Sequence, residues 1–190
     1  MAVLNTGLAK VSGEAFTIDQ SLRFNDDDSA NLSWTPSSAS NQKTWTFSAW
    51  FKLGNISTNF DIFGATPSGA ESRTRLAIKS DNILQVGFNP SGSSWYWLNT
   101  TQLFRDSSAW YHLVLAFDST QAVEANRTKI YINGEQITDF STEQYVAQND
   151  DVAVNSTEDH YLGRYGGGSD YADGYLAEVH HIDGTALTPS

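Results

Sequence analysis

The chain has 190 residues, a formal net charge of −11, no cysteine, and eleven lysines and arginines dispersed singly along it. A disulfide framework is therefore excluded, and with no basic stripe to release counterions from a phosphate backbone, nucleic acid is not an expected partner. A domain of this length buries about 70% of its extended surface and needs no covalent staple.

Residues 1 to 18, MAVLNTGLAKVSGEAFTI, are weakly periodic and rich in small residues, which reads as an extended N-terminal arm preceding a domain over 19–190. They lack the charged and apolar regions of a secretion signal, and no later apolar run approaches the ~20 residues of a bilayer span, so no membrane contact is expected. From Ser21 strand signals begin. Leu22 and Phe24 alternate with Arg23 and Asn25, a turn follows at Asp26-Asp27-Asp28-Ser29, and Leu32 and Trp34 mark a second short strand. Trp45, Phe47, Ala49, Phe51 and Leu53 alternate with polar neighbours in the longest clean strand pattern.

Asp61 to Gly64 reads as a short strand. Leu76 and Ile78, a turn at Ser80-Asp81-Asn82, then Leu84, Val86 and Phe88 predict a hairpin. Trp95, Tyr96 and Trp97 form another strand. Tyr111, Leu113, Leu115 and Phe117 fall on one side of a period-two pattern and His112, Val114 and Ala116 on the other, which suits a central strand. Lys129 to Ile132 runs into Asn133-Gly134, a dipeptide that tolerates the two positive φ angles of a type I′ turn. Thr138 to Asn155 is polar and irregular, Tyr161-Leu162-Gly163 opens a strand, and Gly174 to Ile182 is a long final one. With no amphipathic helix and short strands between Gly, Asn, Asp and Ser turns, the prediction is all-β: a two-sheet antiparallel jelly-roll sandwich.

Several ordered segments resemble the laminin-G-like and pentraxin branch of the concanavalin A-like lectin/glucanase jelly rolls. They are SLRF at 21–24, TFSAWFK at 46–52, Asp106 to Asp118 with Trp110 and His112, Lys129 to Gly134, YLGR at 161–164 and DGYLAEV at 173–179. Two pieces, FTIDQSLRFNDDDSANLSWTP and DGYLAEVHHIDGTALTPS, further look like a subgroup encoded by bacteriophages, marine ones especially, and by environmental bacteria, whose members often occur in virion proteins such as tail fibres, appendages and capsid decorations. In similar proteins the chain continues beyond the Thr-Ala-Leu-Thr-Pro-Ser segment, so this sequence reads as a short relative or a piece of a longer one.

Glucanases of this resemblance carry a strand Glu-x-Asp-x-Glu, whose alternate carboxylates share one face for acid–base work. No such triplet occurs; Glu178 is followed by Val179 and His180, and no enzymatic activity is expected. His112 has no adjacent nucleophile pattern and reads as a structural histidine with a ring nitrogen on backbone. His180 and His181 point to opposite faces of a strand and cannot share one metal.

Calcium is the metal the resemblance implies, but where pentraxins place acidic residues after Leu-Gly this chain has Arg164, Tyr165 and Gly166. The remaining acidic positions, Asp26 to Asp28, Asp150 with Asp151, and Asp170 with Asp173, read first as solvated turns and second as calcium ligands. Trp95 and Trp97 read first as core filling and second as sugar-stacking platforms. Tyr165, Asp170, Tyr171, Asp173 and Tyr175 flank the glycines at 166–168, in a loop expected to lie exposed at a sandwich end, and are the better ligand-binding candidates. Five Asn-x-Ser/Thr sequons, at Asn31, Asn55, Asn99, Asn126 and Asn155, imply no glycosylation in so Ser- and Thr-rich a chain.

The resulting expectation is a non-catalytic structural or adhesion module of a bacteriophage virion. It would be docked to other virion proteins through the arm, be present as a homo-oligomer in the assembly, and be able to bind host-surface glycans. The alternative is a carbohydrate-binding or adhesion module of a bacterial surface or secreted protein.

Overall fold

A computed structural model describes residues 18–66, 73–90, 92, 94–166 and 170–189. The arm, apart from Ile18, lies outside the described residues. In chain order the strands are β1 (Leu22–Phe24), β2 (Leu32–Trp34), β3 (Thr44–Leu53), β4 (Phe60–Thr66), β5 (Arg73–Ile78), β6 (Ile83–Asn89), β7 (Tyr96–Leu103), β8 (Tyr111–Asp118), β9 (Thr128–Ile132), β10 (Glu135–Gln136), β11 (Phe140–Glu143), β12 (Asp159–Leu162) and β13 (Gly174–Asp183). They form a six-stranded sheet, β1-β13-β3-β8-β9-β10, and a seven-stranded sheet, β11-β7-β6-β5-β4-β12-β2, antiparallel throughout. Among the described residues the only helical turn is the 3-10 turn Glu124–Asn126. The two-sheet jelly roll is therefore as expected, with β8 inside its sheet.

Alternation fixes which side chains meet between the sheets. Trp45, Phe47, Ala49, Phe51 and Leu53 of β3 are all buried, and so are Leu113, Leu115 and Phe117 of β8. Across the gap they meet the second sheet: Phe47 stacks on Phe63 at 4.6 Å, and Phe88 lies 4.8 Å from Phe117, itself stacked on Trp45 at 5.0 Å. Such ring pairs contribute about 0.5–1.5 kcal/mol each beyond the area they bury. Asn133 and Gly134 both have positive φ, 53° and 86°, which gives the β9–β10 hairpin the twist of its strands.

Several expectations need correction. Leu22 is 56% exposed while Phe24 is buried, because β1 is an edge strand whose first residue overhangs the sandwich. The polar stretch 138–155 is not irregular throughout: it contains β11, and Val146, Val152, Ala153 and Val154 are fully buried beneath its turns. β4 and β7 are longer than their apolar signals suggested: β4 runs on to Thr66, and β7 continues through the polar Asn99, Thr100, Thr101 and Gln102. In β13 the register shifts between Ala177 and His180, where Glu178 takes a φ of 46°. Beyond it Gly184 turns the chain back, and the Thr46 hydroxyl donates to the Thr185 carbonyl while accepting from Leu187 N–H, both at 2.7 Å.

Candidate binding face on the seven-stranded sheet

Register builds the site. Trp97 of β7 pairs with Gly87 of β6, Gly87 with Arg75 of β5, Arg75 with Gly64 of β4, and Gly64 with Tyr161 of β12. Side chains alternate along a strand, so these positions form one cross-strand row on the outer face, away from Val86 and Leu76 in the core. A second row holds Asn99, Gln85, Ala77 and Asp61. On the other side a third row holds Asn89 and Arg73, paired, and continues to Thr66 and Asp159, also paired.

The glycine at 87 makes the face aromatic. A β-carbon there would lie 1.9 Å from the Trp97 ring, so the ring passes over the bare backbone. Trp95 stacks on Trp97 at 4.3 Å with 7° between the planes, and both rings remain half-exposed. Core filling is thus corrected for this pair: Trp97 points outward, and Trp95 precedes β7. Gln85 donates to the Asn99 side-chain carbonyl at 3.0 Å beside them. Beyond Trp95, at the sheet edge, an open groove of about 720 Å³ is lined by Tyr96, Glu124, Glu143, Gln144 and Tyr145 among others.

Arg75 anchors the opposite rim. Its guanidinium grips the fully buried Asp61 with two bonds of 2.6 and 2.8 Å and donates a third, 2.7 Å, to Asp170. Burial weighs against the charge of Arg75, but bonding to Asp61 and Asp170 outweighs it and raises its pKa further; burial pushes the Asp61 carboxyl up against the opposing pull of Arg75. Bidentate geometry at these lengths is that of a charged pair. The Tyr165 ring covers the guanidinium at 4.4 Å. Arg164 bridges to Tyr171, Tyr165 N–H donates to the Asp170 carbonyl at 3.0 Å, and Ala172 N–H to Gly163 at 2.9 Å, so this loop has a hairpin stem. Its described residues fold over the sheet face rather than standing free at a sandwich end.

The structure therefore brings Trp95, Trp97, Tyr165 and Asp170 onto one face, with Tyr171 at its margin over Arg164 at 5.4 Å. It separates Asp173 and Tyr175 from them. The Asp173 carboxylate accepts from Arg23 at 3.2 Å and Asn55 at 2.5 Å, while its carbonyl accepts from Gly54 N–H at 2.8 Å. Tyr175 pairs with Lys52 in the six-stranded sheet, with Trp110 at 6.3 Å, on the other side of the sandwich. The sequence reading missed Asp61, Arg73, Arg75 and Gly87. The signal available was an Arg-x-Arg strand beside one with glycine in the outward register, legible only once the pairing is known.

Most of the acidic positions are engaged within the chain. Asp150 accepts from Ala147 N–H at 3.0 Å, Asp151 faces Lys43 at 3.8 Å, Asp170 is held by Arg75 and Asp173 by Arg23. Asp28 accepts from Asn25 at 2.6 Å. Among the described residues no cluster of three or more His, Cys, Asp or Glu is arranged to hold a metal. His112 is structural through a side chain rather than backbone: its Nε2 meets the Ser48 hydroxyl at 3.0 Å and its ring stacks on Trp50 at 4.9 Å. Glu178 is exposed at the β13 irregularity, 3.6 Å from His180.

A jelly roll with an aromatic, hydrogen-bonding outer sheet face is a lectin-like sandwich. The chain belongs to the concanavalin A-like lectin/glucanase superfamily, whose laminin-G-type model matches residues 25–190. No curated protein sequence matches it. Its fold is shared with a native heptameric SAP-like pentraxin from Limulus polyphemus, at 19% identity and a TM-score of 0.59 over 84% of this chain and 71% of that one. Domains LG4-5 of mouse laminin α1 match with 14% identity and a TM-score of 0.61 over 88% of this chain and 43% of that one. Domain 4 of an extracellular arabinanase from Geobacillus stearothermophilus, solved with arabinotriose, matches with 22% identity and a TM-score of 0.59 over 79% and 64% respectively. The chain thus spans less than two thirds of the latter two structures. No helix among the described residues is long and apolar enough to cross a membrane.

Proposed function

We propose that the protein is a non-catalytic glycan-binding module and that the outer face of β7-β6-β5-β4 is its binding surface. The observation that carries this is the half-exposed Trp95–Trp97 stack laid over Gly87, next to side-chain amides and an immobilised arginine. Sugar recognition sets an aromatic ring against the apolar face of a pyranose and surrounds its hydroxyls with fixed polar groups. The arabinotriose-bound arabinanase domain of the same fold supports the reading. A glycan array probed with the protein and with Trp97→Ala should show saturable binding that the variant loses by at least about tenfold, with its thermal midpoint nearly unchanged. Absence of saturable binding across the array, or an equally active variant, refutes it.

The setting we propose is a bacteriophage particle, with several copies docked through residues 1–18 and the sheet face available to host-surface glycans. Its support is the likeness of the segments from Phe16 and from Asp173 to domains of phage structural proteins. Mass spectrometry of purified virions should find the protein; finding it only in cleared lysate or on bacterial surfaces favours a bacterial adhesion module instead.

A further inference from the structure

The three rows of the face differ in how well their polar groups are satisfied. Asp61, Arg75, Gln85 and Asn99 are bonded to one another or to Asp170. In the row of Asn89, Arg73 and Thr66 they are not: Asn89 Oδ1, Arg73 Nε and Thr66 Oγ1 are all buried without a hydrogen-bond partner. Buried polar groups in native proteins are nearly always paired, so three orphans on neighbouring strands of one face mark a row whose polar partners the described residues do not supply. Arg73 and Asn89 pair across β5 and β6, and Thr66 follows directly on the Ala65–Thr74 pair.

Charge narrows the partner. Arg75 is neutralised by two carboxylates, yet Arg73, two residues away on the same side of β5, forms no salt bridge among the described residues. The row also leads back to the aromatic stack: Tyr96 pairs with Phe88, so Trp95 and Asn89 are the next residues along each strand. Two strand spacings of about 4.8 Å then separate the backbone at Trp95 from that at Arg73, which is the reach of a sugar ring with one charged substituent.

We infer that the ligand of this face is an acidic glycan, a sugar bearing a carboxylate, with the ring on Trp95 and Trp97 and the carboxylate on Arg73. This rests on the glycan-binding reading of the same face. Arg73 receives the carboxylate through its planar fork of donors.

Titration calorimetry with two matched pairs, trigalacturonate against its methyl ester and sialyllactose against lactose, separates charge from shape. The acidic member of at least one pair should bind about tenfold or more tightly than its neutral partner, with a preference that shrinks between 50 and 500 mM NaCl (about 14 to 4 Å of screening length). Arg73→Gln should remove the preference while leaving neutral binding unchanged, Arg73→Lys should restore part of it, and Trp95→Ala should weaken both members of a pair. Equal binding within both pairs, no binding to either, or a preference that survives Arg73→Gln overturns the inference. Neutral glycans that bind and are lost in Trp95→Ala would leave the face a glycan site while removing its acid selectivity.

Discussion

Asn155 ties three segments together from an ordinary-looking loop position. Its N–H donates to His160 Nε2 at 3.0 Å, its side-chain nitrogen to the Asn41 carbonyl and Asp183 at 2.7 and 3.0 Å, and its side-chain oxygen accepts from His181 Nε2 at 2.7 Å. Its φ of 64° is one that asparagine tolerates better than most residues. The sequon at this site therefore has a structural rather than a glycosylation meaning, because both amide protons are in use. These bonds also fix both imidazoles as neutral. His160 accepts at Nε2 and donates from Nδ1 to the Glu158 carbonyl, and His181 Nδ1 is buried without a partner, so a second proton on either ring has nowhere favourable to go. Burial lowers the pKa of both; a charge on His160 would lower that of His181 further, while Asp183 opposes the shift.

With folded values depressed, the contribution of these histidines is full above the unfolded pKa of about 6.5 and is lost as the pH falls toward the folded values. Each pH unit separating folded from unfolded values costs about 1.4 kcal/mol per histidine once the pH is below both. The thermal midpoint should accordingly fall between pH 7 and 5, before most carboxylates titrate; a flat midpoint across that window would contradict the neutral assignment.

At the scale of elements, the hairpin stem at 163–172 stays on the sheet because Arg75 holds it. Removing one partner of a buried ion pair leaves the other charge uncompensated, so Asp61→Ala should cost about 3–5 kcal/mol in denaturant unfolding. A loss under 1 kcal/mol would show that the pair is solvated in solution. Gly87→Ala tests the platform separately: the new methyl displaces the Trp97 ring, and glycan binding should fall about tenfold while the core beneath, where Val86 and Phe88 face inward, keeps the fold. Most strands were legible because one face of each is apolar; β3, β8 and the hairpin at Asn133-Gly134 follow from alternation and turn chemistry alone. β11 was not, since Phe140-Ser-Thr-Glu at a sheet edge carries little apolar pattern, and its place depends on pairing with β7.

For the whole molecule, the jelly roll could be read from ordered strand signals, whereas the candidate face could be read only in part. Trp95, Trp97, Tyr165 and Asp170 were visible as aromatic and acidic residues, but Arg73, Arg75 and Gly87 gain meaning through neighbours that sequence distance conceals. The same distinction bears on calcium. Asp170 and Asp173 look like a ligand pair in the chain, yet Asp170 turns to Arg75 and Asp173 to Arg23 on another element. Calcium requires six to eight oxygens around one point, and an ion held at a hundredfold excess over its dissociation constant would stabilise the fold by about 2.7 kcal/mol. For a domain of this size that is a rise of roughly 5–10 °C in thermal midpoint. With the carboxylates engaged by Arg, Lys and backbone N–H groups, millimolar calcium and EDTA should give midpoints within about 1 °C of each other in calorimetry. A calcium-dependent rise of several degrees would mean that carboxylates separated here converge on an ion.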